Sequence, residues 1–266
     1  MRGGLVGLLG GVLDGVPGGV TAPLRATFRV LRVLLHLLHG MAVMALRFPF
    51  LPAAGRHARI GWFAAGTLRA MGVGLQVRGT ARPGATLLVC NHVSWLDIAA
   101  VHAAVPQARF VSKADVLAWP LLGWLIRGAG TLFIERERKR DALRVVHACA
   151  SALQAGDKVA VFPEGTTGPG PALLPFHANL LQAAIATATP IQPVVLRFAD
   201  AGHRFSPAAE YVGSTTLAQS LWRVATARGL VVHVDLLPPQ ASAHADRRAL
   251  AETLRTVMDA CLAAPA

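Results

Sequence analysis

Apolar and polar positions follow two regimes along this chain. From Leu24 to Leu46 the apolar residues run almost unbroken, interrupted by Arg25, Arg29, Arg32, His36 and His39 at steps of 4, 3, 4 and 3. Those steps place the polar residues on one stripe of an α-helix, and Pro49 and Pro52 set its end. A second helix is expected over residues 53–71, carrying Arg56, Arg59 and Arg69 among Ile60, Trp62, Phe63 and Leu68. From Gly72 onward, short apolar runs alternate with amphipathic segments. They predict strands at 75–78, 86–90, 109–112, 131–134, 158–162, 191–198 and 230–237. Helices are expected near 94–104, 120–127, 139–155, 178–188, 215–227 and 245–263. Such alternation describes an α/β sheet flanked by helices. In the last run Val231, His233 and Asp235 alternate with Val232, Val234 and Leu236, the pattern of an edge strand. Gly168-Pro169-Gly170-Pro171 reads as a loop, and no internal repeat is present.

Charge sharpens this division. The chain has 266 residues and a net charge of +12, from 26 basic and 14 acidic residues. No acidic residue occurs between Asp14 and Asp97. A basic, apolar N-terminal third points to an anionic surface. Its arginines are interleaved with Leu, Val, Met and Ala, which fits a membrane interface and not nucleic acid. Trp62 and Phe63 suit the headgroup level. The expected organisation is a leader with membrane-interface helices over 1–71 and an α/β domain over 72–266.

The chain is 53% hydrophobic with a mean hydropathy of +0.47, yet no run of about 18 uncharged apolar residues appears, so a plain transmembrane helix is not expected. The first 23 residues have features of a signal peptide, Arg2 before an apolar run and Val20-Thr21-Ala22 as a cleavage-like site. Asp14 breaks that run, and the basic helix that follows suits the cytoplasmic face, so the segment reads as a retained Gly-rich leader. Cys90, Cys149 and Cys261 are too far apart for a metal site and imply no disulfide framework.

The candidate chemistry lies just after two of the strands. Asn91-His92-Val93-Ser94-Trp95-Leu96-Asp97 follows the run ending at Cys90, and Phe162-Pro163-Glu164-Gly165-Thr166-Thr167-Gly168 follows the run beginning at Lys158. Ionisable groups at several strand ends describe one site at a sheet edge. Histidine takes up a proton near neutral pH, and a carboxylate fixes its tautomer and orientation. Asp97 reaches His92 if a helix begins near Ser94; Ser94-x-x-Asp97 also fits a capping box, and both roles are compatible. No Gly-x-Ser-x-Gly elbow is present. A dyad without a protein nucleophile implies that the base activates a substrate hydroxyl. Gly165 allows close backbone approach, while Thr166 and Thr167 offer hydroxyls and amides. Arg136, after the run at 131–134, is placed to fork onto a phosphate.

Taken in order, these motifs resemble the lysophosphatidic acid acyltransferase family, the 1-acyl-sn-glycerol-3-phosphate acyltransferases. The ordered set is Asn91-His92-x4-Asp97; Phe110 to Lys113 with Pro120 and Gly123; Gly130 to Arg136; Phe162 to Thr166; Pro175-Phe176; and Pro190 to Val194. The resemblance covers residues 72–200 and implies a mixed, largely parallel sheet flanked by helices, the glycerolipid acyltransferase fold, with an N-terminal helical membrane-docking segment. It implies His92 and Asp97 as catalytic residues, and Lys113, Arg136, Glu164, Gly165 and Thr166 as acceptor-binding residues. The implied donor is acyl-coenzyme A or acyl-carrier protein, with no metal or other cofactor. The implied partners are anionic lipids and a lysophospholipid, and the implied location is the cytoplasmic face of the inner membrane. Where the family commonly has an arginine and a serine after Glu-Gly-Thr, this chain has Thr167 and Gly168. That departure keeps lyso-ornithine lipid open as acceptor. A non-catalytic lipid-binding protein is the alternative of another class, and the intact His92, Asp97 and Glu164 argue against it.

Overall fold

The computed structural model describes residues 18–113, 120–134 and 139–264. Helix α1 (Gly18–Leu46) and α2 (Ala53–Met71) are joined by a short 3₁₀ turn, Phe48–Phe50. Pro52 heads α2 and Gly72, at φ 74, ends it in the left-handed conformation. The positive φ favours glycine there, and an added Cβ would also displace the Arg29 guanidinium, 2.2 Å away. There follow β1 (Gly74–Arg78), β2 (Thr86–Cys90), α3 (Leu96–Ala104), β3 (Ala108–Lys113), α4 (Pro120–Gly128) and β4 (Leu132–Ile134). The remainder is α5 (Lys139–Gln154), β5 (Lys158–Val161), α6 (Gln182–Ala186), β6 (Ile191–Ala199), α7 (Leu217–Thr226), β7 (Val231–Leu236) and α8 (Arg247–Ala263).

The seven strands form one sheet in the order β1-β7-β6-β2-β5-β3-β4. The pairs from β6 through β4 are parallel, β7 runs antiparallel to β6, and β1 is parallel to β7. The carboxyl ends of β2, β3, β4, β5 and β6 therefore share one edge, the usual place for a site in such a sheet. Strand residues alternate between two cores, as a pleat requires. Leu88, Cys90, Leu196 and Phe198 pack under α1, α2, α3 and α7, whereas Leu87, Val89, Val161 and Val195 pack under α5, α6 and α8. Ala26, Val33, Leu68 and Met71 belong to the first of these cores, so the two N-terminal helices are built into the body of the protein.

Several expectations need correction. Strand β7 is internal, between β1 and β6. Its alternation arises because Val232, Val234 and Leu236 enter the first core while His233 and Asp235 point to the other face, where Asp235 lines a polar pocket. The helix expected at 178–188 is a 3₁₀ turn, Ala178–Leu181, followed by the single turn α6. The leader before residue 18 lies outside the described residues.

The largest correction concerns the direction of α1. Arg25, Arg29 and His36 of its polar stripe face the protein, whereas Arg32 and His39 are exposed. Arg25 donates to Thr226 O at 3.0 Å, and Arg29 donates to Ala225 O at 3.0 Å and Ala227 O at 2.6 Å. These carbonyls close the C-terminus of α7, where the helix dipole favours a cation. His36 donates through Nε2 to Phe63 O at 2.9 Å and stacks on that ring. The adjoining face, Leu24, Phe28, Leu31, Leu35 and Leu38, is more than half exposed. The stretch Thr21–Leu46 is long and apolar enough, by length and composition, to cross a membrane. The expectation of no such helix rested on uncharged runs, and two of the arginines that broke the run, Arg25 and Arg29, are turned inward while Arg32 stays exposed.

Candidate active site

The site begins where β2 leaves the sheet. Cys90 pairs with Val194 of β6, and Asn91 then continues the ladder with its side chain. Its Nδ2 donates to Leu196 O at 2.9 Å and its Oδ1 accepts Leu196 N–H at 2.7 Å. Asn91 is buried, so the bonds fix the strand end in a water-poor setting, where a lost partner is costly. The chain turns over Val93 and Ser94 and enters α3, with Asp97 in its first turn.

That turn brings the predicted dyad together. His92 Nδ1 lies 2.8 Å from Asp97 Oδ2. The same oxygen accepts the amides of Val93 at 2.6 Å and Ser94 at 2.8 Å. Asp97 thus caps the helix start and orients the imidazole with one atom. It is fully buried, while the His92 side chain keeps 21% exposure. Nδ1 must carry the proton shared with the carboxylate, which leaves Nε2 as the free base, and no hydrogen bond claims Nε2 among the described residues. Asp97 Oδ1 and Ser94 Oγ are buried without a partner among the described residues, so the capping box is half formed.

Two further contacts hold the imidazole, and neither is visible in the sequence. The ring stacks on Phe162, with centroids 4.0 Å apart and planes at 16°. Phe162 in turn stacks on Phe110 at 5.6 Å. The backbone of His92 is held by Glu164, whose Oε1 accepts His92 N–H at 2.8 Å, and its carbonyl accepts Gly168 N–H at 2.7 Å.

Glu164 was expected among the acceptor-binding residues, but its carboxylate is occupied. Oε2 accepts Leu174 N–H at 2.9 Å, so the buried side chain bridges the dyad turn and the 173–178 loop. Burial pushes its carboxyl above the usual range, and the Leu174 and His92 amides oppose that rise. Thr167 also turns away from a ligand, its hydroxyl donating to Tyr211 O. Gly165 sits at φ 71, and an added Cβ there would meet the His177 ring at 3.0 Å. Gly165 and Thr166 are exposed at the turn beyond Glu164. Lys113 is the last residue of β3, on the same edge, with its side chain outside the described residues. Arg136 lies outside them altogether.

The arrangement is a buried carboxylate, an imidazole with one open nitrogen, and an exposed glycine-containing turn at a sheet edge. It can take a proton from a hydroxyl and return it to a leaving group. No group of three or more His, Cys, Asp or Glu placed to hold a metal occurs among the described residues.

Comparison with known proteins agrees with this geometry. Residues 75–197 match the family model described as Acyltransferase. The chain is 36% identical over 201 residues to the 1-acyl-sn-glycerol-3-phosphate acyltransferase of Neisseria meningitidis serogroup B, covering 74% of this chain and 78% of that one. It is 37% identical over 190 residues to the lyso-ornithine lipid O-acyltransferase of Pseudomonas aeruginosa, covering 71% and 72%. The crystal structure of the 1-acyl-sn-glycerophosphate acyltransferase PlsC from Thermotoga maritima superposes with a TM-score of 0.61 at 19% identity, over 88% of this chain and 96% of that one. This last likeness is one of fold.

Proposed function

The chain belongs to the 1-acyl-sn-glycerol-3-phosphate acyltransferase family, and from that premise we propose that it moves a fatty acyl group onto the free hydroxyl of a lysophospholipid. The acceptor in this reading is 1-acyl-sn-glycerol 3-phosphate and the product phosphatidic acid. The donor is the thioester of acyl-coenzyme A or acyl-carrier protein.

The observation that carries the mechanism is the 2.8 Å contact between His92 Nδ1 and Asp97, with Nε2 open. Nε2 takes the acceptor hydroxyl proton as that oxygen attacks the thioester carbonyl. Asp97 stabilises the imidazolium that forms. The tetrahedral intermediate then breaks its carbon–sulfur bond, the thiolate takes the proton from Nε2, and the ester remains. Lys113, Arg136 and the turn at Gly165 and Thr166 are the proposed phosphate contacts. Glu164 acts through the two loops that it joins.

A second acceptor has its own support. Thr167 stands where an arginine would offer a further phosphate ligand, and its hydroxyl is engaged by Tyr211. Lyso-ornithine lipid, whose headgroup carries no phosphate, fits that change. An acceptor panel of lysophosphatidate, lyso-ornithine lipid and lysophosphatidylglycerol decides. Thiol release with lysophosphatidate and phosphatidate in the mass spectrum are expected; turnover confined to lyso-ornithine lipid would move the assignment to the second reading.

The proposed place of work is the cytoplasmic face of the inner membrane, as a peripheral or monotopic enzyme, and the exposed face of α1 supports the membrane contact. Leu31→Glu with Leu35→Glu is expected to release the protein from anionic vesicles. Unchanged binding would remove the docking role. Arg25→Glu and Arg29→Glu are expected to loosen the fold first, because those side chains hold α7.

A further inference from the structure

A second polar site lies on the other face of the sheet from the α1 helix. Arg78 of β1, Arg197 of β6 and Asp235 of β7 line a cavity of about 160 Å³, closed by Gly79, Leu236, Leu237, Cys261 and Ala264. Register explains the grouping: Arg78 is paired with Asp235, and Arg197 with His233.

The charges here do not balance. Arg197 is 6% exposed, and its one hydrogen bond among the described residues runs from Nη1 to Arg204 O at 3.2 Å. Arg204 stands behind it, and its own guanidinium is spent on the carbonyls of Leu262 and Ala264 at the end of α8. Asp235 is the carboxylate of the cavity wall, yet it comes within ion-pair distance of no arginine among the described residues. Nδ1 of His233 is buried without a partner among the described residues. A buried guanidinium held this way is costly unless a counter-charge arrives.

We propose that this cavity binds a small oxyanion of the phosphate class, with Arg197 as its floor and Arg78 at its mouth. A guanidinium presents a planar fork that matches such oxygens in pairs. Burial, and after it the nearby Arg204, lower the pKa of Arg197 while Asp235 opposes them, and a bound anion would act in the same sense as Asp235. The cavity opens away from the leucine face of α1, so the anion is drawn from water and not from the bilayer. The site also adjoins the dyad strand: Leu196, next to Arg197, is the residue that Asn91 clamps. An occupant would stiffen β6 at that clamp.

The test is thermal unfolding of the full chain in sodium phosphate against sodium chloride of equal ionic strength. An upward shift of about 3–6 °C is expected at roughly ten times the Kd. Arg197→Gln and, at the exposed mouth, Arg78→Gln should each remove it. A shift that survives both substitutions belongs to another site, the catalytic edge included, and overturns the proposal. Equal protection by acetate would overturn the phosphate class, and protection by phosphatidate vesicles that Arg78→Gln abolishes would overturn the soluble source. None of these outcomes depends on acyl transfer.

Discussion

His92 and His102 sit at opposite ends of one aromatic array, and only one of them is built to work. Phe162 stacks on His92 at 4.0 Å, Phe110 stacks on Phe162 at 5.6 Å, and His102 meets the Phe110 ring edge-on at 4.9 Å. His102 is 6% exposed, and its Nδ1 finds no partner among the described residues. Burial alone lowers its pKa to about 4, which leaves a neutral ring that packs like any other aromatic. His92 also has an apolar ring against it, Phe162 on its face, but its edge meets Asp97 and an opening to solvent. Burial therefore silences a histidine, and a carboxylate on one nitrogen with access at the other makes it a base.

The comparison breaks first at the dyad. His92→Ala is expected to lower kcat by about 10³–10⁴-fold, because no other base touches that position among the described residues. Asp97→Asn keeps the shape but loses the charge that stabilises the imidazolium, and a loss of up to about 10⁴-fold is expected. Steady-state thiol release measures both. Turnover within a few-fold of the parent for His92→Ala would end the role assigned to that ring.

Phe162 tests whether the stack is more than filler. Asp97 anchors one atom of the imidazole, and a ring held at one point can still rotate about that anchor. The face-on contact sets the plane, and so the direction of Nε2. Phe162→Leu is expected to lower kcat about tenfold with KM nearly constant, since small misplacements of a reacting group are costly. Phe162→Tyr should restore most of the loss. Equal losses in kcat and in thermal stability for both variants would make Phe162 a core residue only.

Much of this site was legible because local signals set it. The run Thr86-Leu87-Leu88-Val89-Cys90 defines β2, and Pro52 and Gly72 bracket α2, so both were placed to the residue. The four-residue gap from His92 to Asp97 works because α3 begins at Leu96 and turns the carboxylate back onto the loop amides. What stayed hidden depends on distant partners. The spacing of Arg25, Arg29 and His36 announces a polar stripe, but its direction is set by carbonyls near residue 226, some 200 positions away. Glu164 reads as an exposed ligand until the Leu174 amide closes on it. The stack of Phe162 on His92 joins two strand ends whose adjacency is known only once the order β2-β5 is.

The smallest effect falls on stability and isolates His102. Its folded-state pKa is about 4, below the ordinary value of 6.5. In that window the unfolded chain binds the extra proton, so acid favours unfolding. The contribution of this residue is complete above pH 6.5 and is lost as pH falls toward 4. Between pH 6.5 and 5 the loss is about 2 kcal/mol at 1.36 kcal/mol per pKa unit. His102→Leu removes the titrating group and should flatten that part of the pH profile of unfolding, measured by denaturant titration, while thiol release at pH 7 stays near the parent value. A profile as steep as the parent's would mean that other groups carry the acid sensitivity. A large loss of turnover at pH 7 would mean that the far end of the aromatic array reaches the base after all.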